Sequence, residues 1–152
     1  LELPRRAVTA EELEATKAEM AKLEGDPKQI TRYRWNQRVV DKHAAMESGE
    51  AEPYQMELHL LRLGDVAIGT NPFELFTAYG DQMKARSPAV QTFVIQLVGS
   101  GSYLPTPLAV RGGGYSAVIQ STKVGPVGGQ KLVDTTVAGW LDLWGSGDGK
   151  SE

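Results

Sequence analysis

Hydrophobic positions along the chain recur first at helical spacing, then at strand spacing. Val8 and Leu13 flank a Thr9-x-x-Glu12 capping box, in which the Thr9 hydroxyl accepts a free amide and Glu12 reaches back to the Thr9 amide. This predicts a helix running to about Leu23, stopped by Gly25 and Pro27. Asp26-Pro27 repeats the start signal. A second helix then carries Val39, Val40, Ala44 and Met46 on one side, and Arg32, Arg34 and Arg38 on a solvated one. From Pro53 the period shortens to two. Tyr54, Met56, Leu58 and Leu60 alternate with Gln55, Glu57 and His59, which predicts a strand with one wetter face. Gly64-Asp65 turns into Val66-Ala67-Ile68 as a hairpin.

Asn71-Pro72-Phe73-Glu74 has the form of a helix start, with Asn71 as N-cap and a helix ending near Arg86 ahead of Pro88. Thr92 to Val98 is nearly all apolar, the pattern of a central strand covered on both faces. After the loop at Gly99–Ser102 come Tyr103, a Pro/Gly-rich stretch and a short strand around Ala117–Gln120. A final helix carries Val133, Val137, Trp140, Leu141 and Trp144. Val66–Thr70, the helix from Pro72 and Thr92–Val98 form a strand–helix–strand unit, which demands parallel strands and a right-handed crossover. Glu74 and Tyr103 then stand at the carboxyl ends of strands in one sheet, where open α/β sheets place their ligand crevices. The fold class is α/β: a mixed sheet with a β-hairpin and a βαβ unit, two N-terminal helices and a C-terminal helix. The domain spans 1–144, and the polar, glycine-rich segment 145–152 is expected to be a disordered tail.

Composition narrows the function classes. The 152 residues suit one domain, and 41% apolar content suffices for a packed core. Sixteen basic against nineteen acidic side chains, a net charge of −3, argue against a nucleic-acid partner. The sequence contains no cysteine, which excludes disulfides, thiol catalysis and cysteine-ligated zinc. No apolar run approaches the roughly 20 residues of a transmembrane segment, and no signal segment opens the sequence. The chain starts at Leu1, and the expectation is a piece of a longer protein.

Most candidate motifs have a plainer structural meaning. Gly112-Gly113-Gly114-Tyr115-Ser116-Ala117 fits a dinucleotide pattern, but prolines precede it and a strand-like segment follows it. Gly125 to Lys131 lacks the ending of a phosphate loop, and the sequence has no Gly-x-Ser-x-Gly elbow. His43 and Glu47 have the spacing of a chelate and equally of a surface ion pair. For both His43 and His59 a satisfied structural role is the better expectation. Glu74 reads as a capping carboxylate at a positive helix end, and Tyr103 equally as a loop tyrosine.

Between Leu58 and Trp144 the chain resembles the neutral/alkaline (non-lysosomal) ceramidases, in particular an uncharacterised bacterial subgroup. Leu63-Gly64-Asp65-Val66-Ala67-Ile68, leading into Asn71-Pro72-Phe73-Glu74, is similar to the family's hairpin and Pro-Gly-Glu segment, with Phe73 in place of the glycine. Tyr103-Leu104-Pro105-Thr106 resembles its Tyr-x-Thr-Thr segment, and Tyr115 stands twelve positions on, where the family has a second tyrosine. The resemblance implies a zinc cofactor with Glu74 and Tyr103 as metal ligands, and Tyr115 as the catalytic residue that holds the oxyanion. It also implies hydrolysis of a lipid amide such as an N-acyl sphingoid. Neither His43 nor His59 falls where the family has its two zinc histidines, and Glu74 and Tyr103 are 29 positions apart, closer than in true ceramidases. The chain is therefore expected to be a C-terminal part of the catalytic domain, inactive alone, whose partner is the N-terminal remainder of the same protein. The alternative is a non-catalytic structural or interaction module that retains the fold.

Overall fold

Strand β1 (Glu2–Leu3) opens the chain in a computed structural model that describes residues 1–145. It pairs antiparallel with β2 (Tyr54–Gln55), so a strand precedes the two helices expected first. Helix α1 (Ala10–Leu23) starts on the Thr9 capping box. Thr9 Oγ1 accepts the Glu12 amide at 3.2 Å, and the Glu12 carboxylate accepts the Thr9 amide at 3.1 Å. Asp26 caps a turn of 3-10 helix over Pro27–Gln29, which leads into α2 (Ile30–Glu47), packed against α1.

The alternating stretch from Tyr54 is two strands, not one. Strand β2 ends at Gln55 because its partner β1 is short, and β3 (Leu60–Leu63) pairs in a different sheet with β4 (Val66–Thr70). Gly64 takes φ +59° at the first position of the β3–β4 turn while Asp65 keeps a negative φ, the pattern of a type II′ hairpin. Strand β6 (Gln91–Ile95) lies parallel to β4, and α3 (Thr77–Arg86) lies between them in sequence, as the strand–helix–strand pattern requires. The strand order is β3-β4-β6. Strand β6 is therefore an edge strand, with Phe93 and Ile95 exposed, rather than a central strand covered on both faces.

A third sheet, two-stranded and parallel, joins β5 (Glu74–Leu75) to β7 (Tyr103–Leu104). Helix α4 (Pro107–Gly112) follows, capped by Thr106 Oγ1. Where a short strand was expected at Ala117–Gln120, the chain makes two 3-10 turns, Tyr115–Ala117 and Ile119–Ser121. Carbonyls there find partners without a neighbouring strand: Ala117 O accepts from Arg6 Nη1, and Val118 O accepts the Thr122 hydroxyl at 3.1 Å, while the buried Ser121 Oγ has no partner among the described residues. Helix α5 (Pro126–Gly145) closes the fold. Gly145 thus belongs to the helix, and the rest of the expected tail lies outside the described residues. These mixed sheets and five helices make an α/β fold. Among the described residues no helix is long and apolar enough to cross a membrane.

The core sits between the sheets, α3 and α5, centred on Trp140, Tyr79, Phe73 and Leu132, all buried. Trp140 Nε1 donates to Ile68 O at 3.2 Å, and its ring lies over Gly69, where a Cβ would sit 2.7 Å from Cζ2. Tyr79 Oη donates to Pro105 O at 2.9 Å and its ring lies over Gly129, where a Cβ would stand 2.4 Å from Cζ. Gly69→Ala and Gly129→Ala should each overpack this interior and destabilise the fold by about 1–3 kcal/mol in urea unfolding. Gly80→Ala, at an open position inside α3, should instead stabilise by about 0.5–1 kcal/mol.

Candidate functional site

Asn71 decides how the chain leaves β4. It is buried, and its amide donates to Ile95 O at 2.9 Å while its own carbonyl accepts the Val98 amide at 3.0 Å. Its side-chain Oδ1 accepts the Phe73 amide at 3.1 Å, an Asx-type turn. Asn71 thus ties the ends of β4 and β6 together and turns the chain into β5 instead of capping a helix. Helix α3 starts only at Thr77, after Phe76. The capping role expected of Glu74 is therefore not its position: pairing with β7 recruits Glu74 and Leu75 into a strand, and non-local pairing overrides the local helix signal.

The two-residue period of a strand sorts the side chains of this segment. Phe73 and Leu75 are buried and Glu74 faces outward. In β7 Leu104 is buried and Tyr103 faces out, half-buried. Glu74 and Tyr103 are direct partners in the parallel register, so they share one face on adjacent strands about 4.8 Å apart. They stand beyond the carboxyl ends of β4 and β6 in a small sheet of their own, not at the ends of strands of a single sheet. Hydrogen bonds fix that sheet from both sides: the Glu74 amide donates to Ser102 O at 3.1 Å, and the Leu75 amide to Gln96 Oε1 at 2.6 Å.

Hydrogen bonding of the Tyr103 hydroxyl to the Glu74 carboxylate holds this phenol above its ordinary pKa, with smaller contributions from desolvation and the charge of Glu74. Tyr115 completes the group. Its ring meets the edge of Tyr103 with centroids 5.9 Å apart and stacks on Trp35 of α2 at 6.2 Å. Gly113, in the left-handed conformation at the end of α4, sets the chain direction that delivers Tyr115. All three residues singled out in the sequence therefore meet in one place.

Glu74 and Tyr103 line a shallow cleft of about 440 Å³ together with Thr77, Gln96, Leu97 and Ser116. Leu97 has φ +60° and is the sole non-glycine residue with positive φ among the described residues. For a bulky side chain this conformation costs on the order of 1–2 kcal/mol. It persists because the Leu97 amide donates to Phe73 O and its carbonyl accepts the Gly99 amide. A larger cleft of about 550 Å³ lies on the other side of Tyr115, between α1, α2 and the 3-10 turns, with Thr16, Asn36 and Gln120 in its lining. Its position depends on Arg6, which is buried. Arg6 Nη2 pairs with Glu12 at 2.6 Å, and Nη1 donates to Thr122 Oγ1 at 2.8 Å and to Ala117 O beside Tyr115. No sequence motif marks Trp35, Gln96, Leu97 or Arg6, because each acts through a partner distant along the chain.

The histidines stand apart from this group. His59 makes local contacts, with Nδ1 3.2 Å from Thr70 Oγ1 and Nε2 3.9 Å from Glu57, and His43 lies on α2. Gly112–Ala117 forms the end of α4 and a 3-10 turn, not a strand-to-helix phosphate loop. Among the described residues, no three histidine, aspartate or glutamate side chains gather as a metal site. No family model, no curated protein and no solved structure matches this chain.

Glu74→Gln should lower the pKa of Tyr103 toward the ordinary value, because the carboxylate that disfavours its phenolate is gone. The tyrosinate absorbance titration, with Tyr103→Phe identifying the band, checks the sign. Gly101→Ala should separate β5 from β7, since its Cβ would fall 1.8 Å from the Pro72 carbonyl oxygen, a backbone atom that cannot swing away. That variant should lose the raised Tyr103 titration and at least about 1–3 kcal/mol of stability.

Proposed function

We propose that the Glu74 carboxylate and the Tyr103 phenol are two oxygen ligands of a zinc ion in an amide hydrolase of the ceramidase type, with Tyr115 donating a hydrogen bond to the oxyanion. What carries this reading is the direct pairing of Glu74 with Tyr103 on one outward face, with Tyr115 against Tyr103. The donor set fits zinc, which accepts oxygen ligands beside nitrogen ones. Bound there, zinc would polarise the amide carbonyl and lower the pKa of a water toward about 7. The strained backbone at Leu97, on the wall of the same cleft, supports a functional reading, since such conformers gather at sites.

The roles of the chain's own residues follow from their surroundings. Glu74 presents an anionic acceptor at the outward face of β5, beside the Tyr103 phenol whose pKa it raises. The Tyr103 phenol would hold zinc as a phenolate beside the Glu74 carboxylate, its proton passing to solvent. The Tyr115 ring packs against Trp35 and Tyr103, which keeps this largely exposed phenol beside the Glu74–Tyr103 pair. A donor held there lowers an acyl-transfer barrier by about 2–4 kcal/mol. In this reading the other two ligands and most of the acyl pocket belong to the N-terminal remainder of the same protein, and the substrate is a lipid amide.

A second reading, a non-catalytic module, is favoured by the interaction of Tyr103 with Glu74, which gives each group a partner within the chain. Zinc titration of the chain separates the two. The catalytic reading expects weak binding that disappears in both Glu74→Gln and Tyr103→Phe. In a full-length protein with all ligands, each variant should lose more affinity than the ~10–100-fold that an outer-shell substitution costs. Amide hydrolysis should fall with it, and Tyr115→Phe should lower kcat by about 10²–10³ while leaving zinc bound. Full activity in both ligand variants would remove Glu74 and Tyr103 from the metal site.

A further inference from the structure

We infer that the cleft of about 550 Å³ between α1, α2 and the 3-10 turns is a binding site for a neutral sugar ring. Hydrogen bonds running from α2 toward the turns fix the polarity of its floor. Arg32 O, a backbone carbonyl, can only accept, and Asn36 Nδ2 donates to it at 3.0 Å. The other fork of that buried amide, Asn36 Oδ1, therefore faces Gln120 and accepts from its Nε2 at 3.0 Å. Gln120 Nε2 also lies 3.5 Å from the hydroxyl of Thr16, buried on α1. The orientation of both carboxamides thus follows from the backbone of α2. With its nitrogen held by the two helices, Gln120 has Oε1 left over, and no hydrogen bond among the described residues reaches that oxygen. The atom is accessible, and Gln120 lines the cleft. The relay ends on an acceptor that a ligand hydroxyl can fill.

Charge, walls and rim select the ligand class. The four charged residues that line the cleft pair with one another, Arg6 with Glu12 at 2.6 Å and Arg32 with Glu19 at 2.7 Å. Their charges cancel, so an ion entering the cleft finds no free counter-charge and a neutral ligand is favoured. Trp35 and the exposed Tyr115, stacked with centroids 6.2 Å apart, give the cleft an aromatic wall. The C–H groups on the flat side of a sugar ring are weakly positive and rest on the negative face of such a ring. At the rim, Glu19 Oε1 and Arg32 Nη2 set an acceptor beside a donor. Adjacent sugar hydroxyls, each of which both donates and accepts, match that pair. A planar base would suit the wall but brings no adjacent hydroxyls to the rim. A wholly apolar ligand would strip water from Gln120 Oε1 and leave it unpaired. The volume is that of a small-molecule site. Of Glu74, Tyr103 and Tyr115 only Tyr115 borders this cleft, so the inference does not rest on the zinc reading, and Tyr115 is left intact in its test.

Titration of the isotope-labelled 152-residue chain with methyl β-D-glucopyranoside and methyl β-D-galactopyranoside, followed by NMR with a chelator present, tests it. The expected result is a saturable shift of the Trp35 indole N–H and of the Gln120 side-chain amide with at least one of the two glycosides. Read at Gln120, Trp35→Ala should weaken binding about 10-fold through loss of the ring contact. Glu19→Gln, which keeps the shape of the rim and removes its charge, should weaken it about 3–10-fold. Glu19 lies at the mouth of the cleft, so a folding defect in Trp35→Ala leaves Glu19→Gln decisive. Lys17→Ala, exposed on α1, should change nothing. Glu74→Gln should also leave sugar binding intact, which keeps failure of the zinc reading distinct from failure here. No shift with either glycoside at up to about 100 mM, equal affinity in both cleft variants and the wild type, or saturation by adenine and by neither glycoside would each overturn the inference.

Discussion

The closeness of α5 to the sheet is the constraint on which the rest of the fold depends. Helix and sheet meet at Gly69, where the Trp140 ring occupies the space of a side chain while its indole N–H binds the carbonyl of Ile68. At the other end of the helix Gly129 does the same for Tyr79, whose hydroxyl reaches Pro105 just after β7. Two aromatic rings thus fix the helix against the three-stranded sheet and the end of the β5–β7 pair. With its back occupied in this way, the three-stranded sheet is one-sided, and the apolar residues of β3 and β6 on the other side face solvent.

The small sheet beyond it is positioned by Asn71. A buried amide that binds both β6 and the turn to Phe73 leaves the chain one direction to follow. Strand alternation then sends Phe73 and Leu75 inward and Glu74 outward, opposite Tyr103. The chemistry available at this spot is a consequence of backbone pairing, because neither side chain chooses its direction independently. The price is the left-handed Leu97, held where the loop must clear Phe73.

Local signals in the sequence were legible and long-range ones were not. The Thr9 capping box, the Gly64-Asp65 hairpin, the parallel β4–β6 pair and the end of α3 at Arg86 rest on residues a few positions apart, or on the handedness rule, and the structure has them. Asn71-Pro72-Phe73-Glu74 is also a strong local signal, and here it misleads. Its polar groups find partners at Ile95 and Val98, and Glu74 pairs with Tyr103, residues that no local pattern connects to it. The apolar run at Thr92–Val98 suggested cover on both faces, but hydrophobicity alone does not say where the cover comes from. Glu74 and Tyr103 were singled out by their expected place after the strands of a βαβ unit, and Tyr115 through a family resemblance. What brings them together, the β5–β7 register and the Trp35 stack, has no signature along the chain.

Arg6 has a consequence for the order in which the polypeptide can become ordered. Its guanidinium joins the first residues of the chain to Ala117 and Thr122, and its own amide binds Lys123 O at 3.1 Å. The segment around Arg6 therefore has its final partners only once the chain through Lys123 is in place. Contacts this far apart in sequence slow folding, because most of the chain must be confined before they form. The loop that presents Tyr115 is thus held in part by a side chain 111 positions away along the chain from the carbonyl it binds.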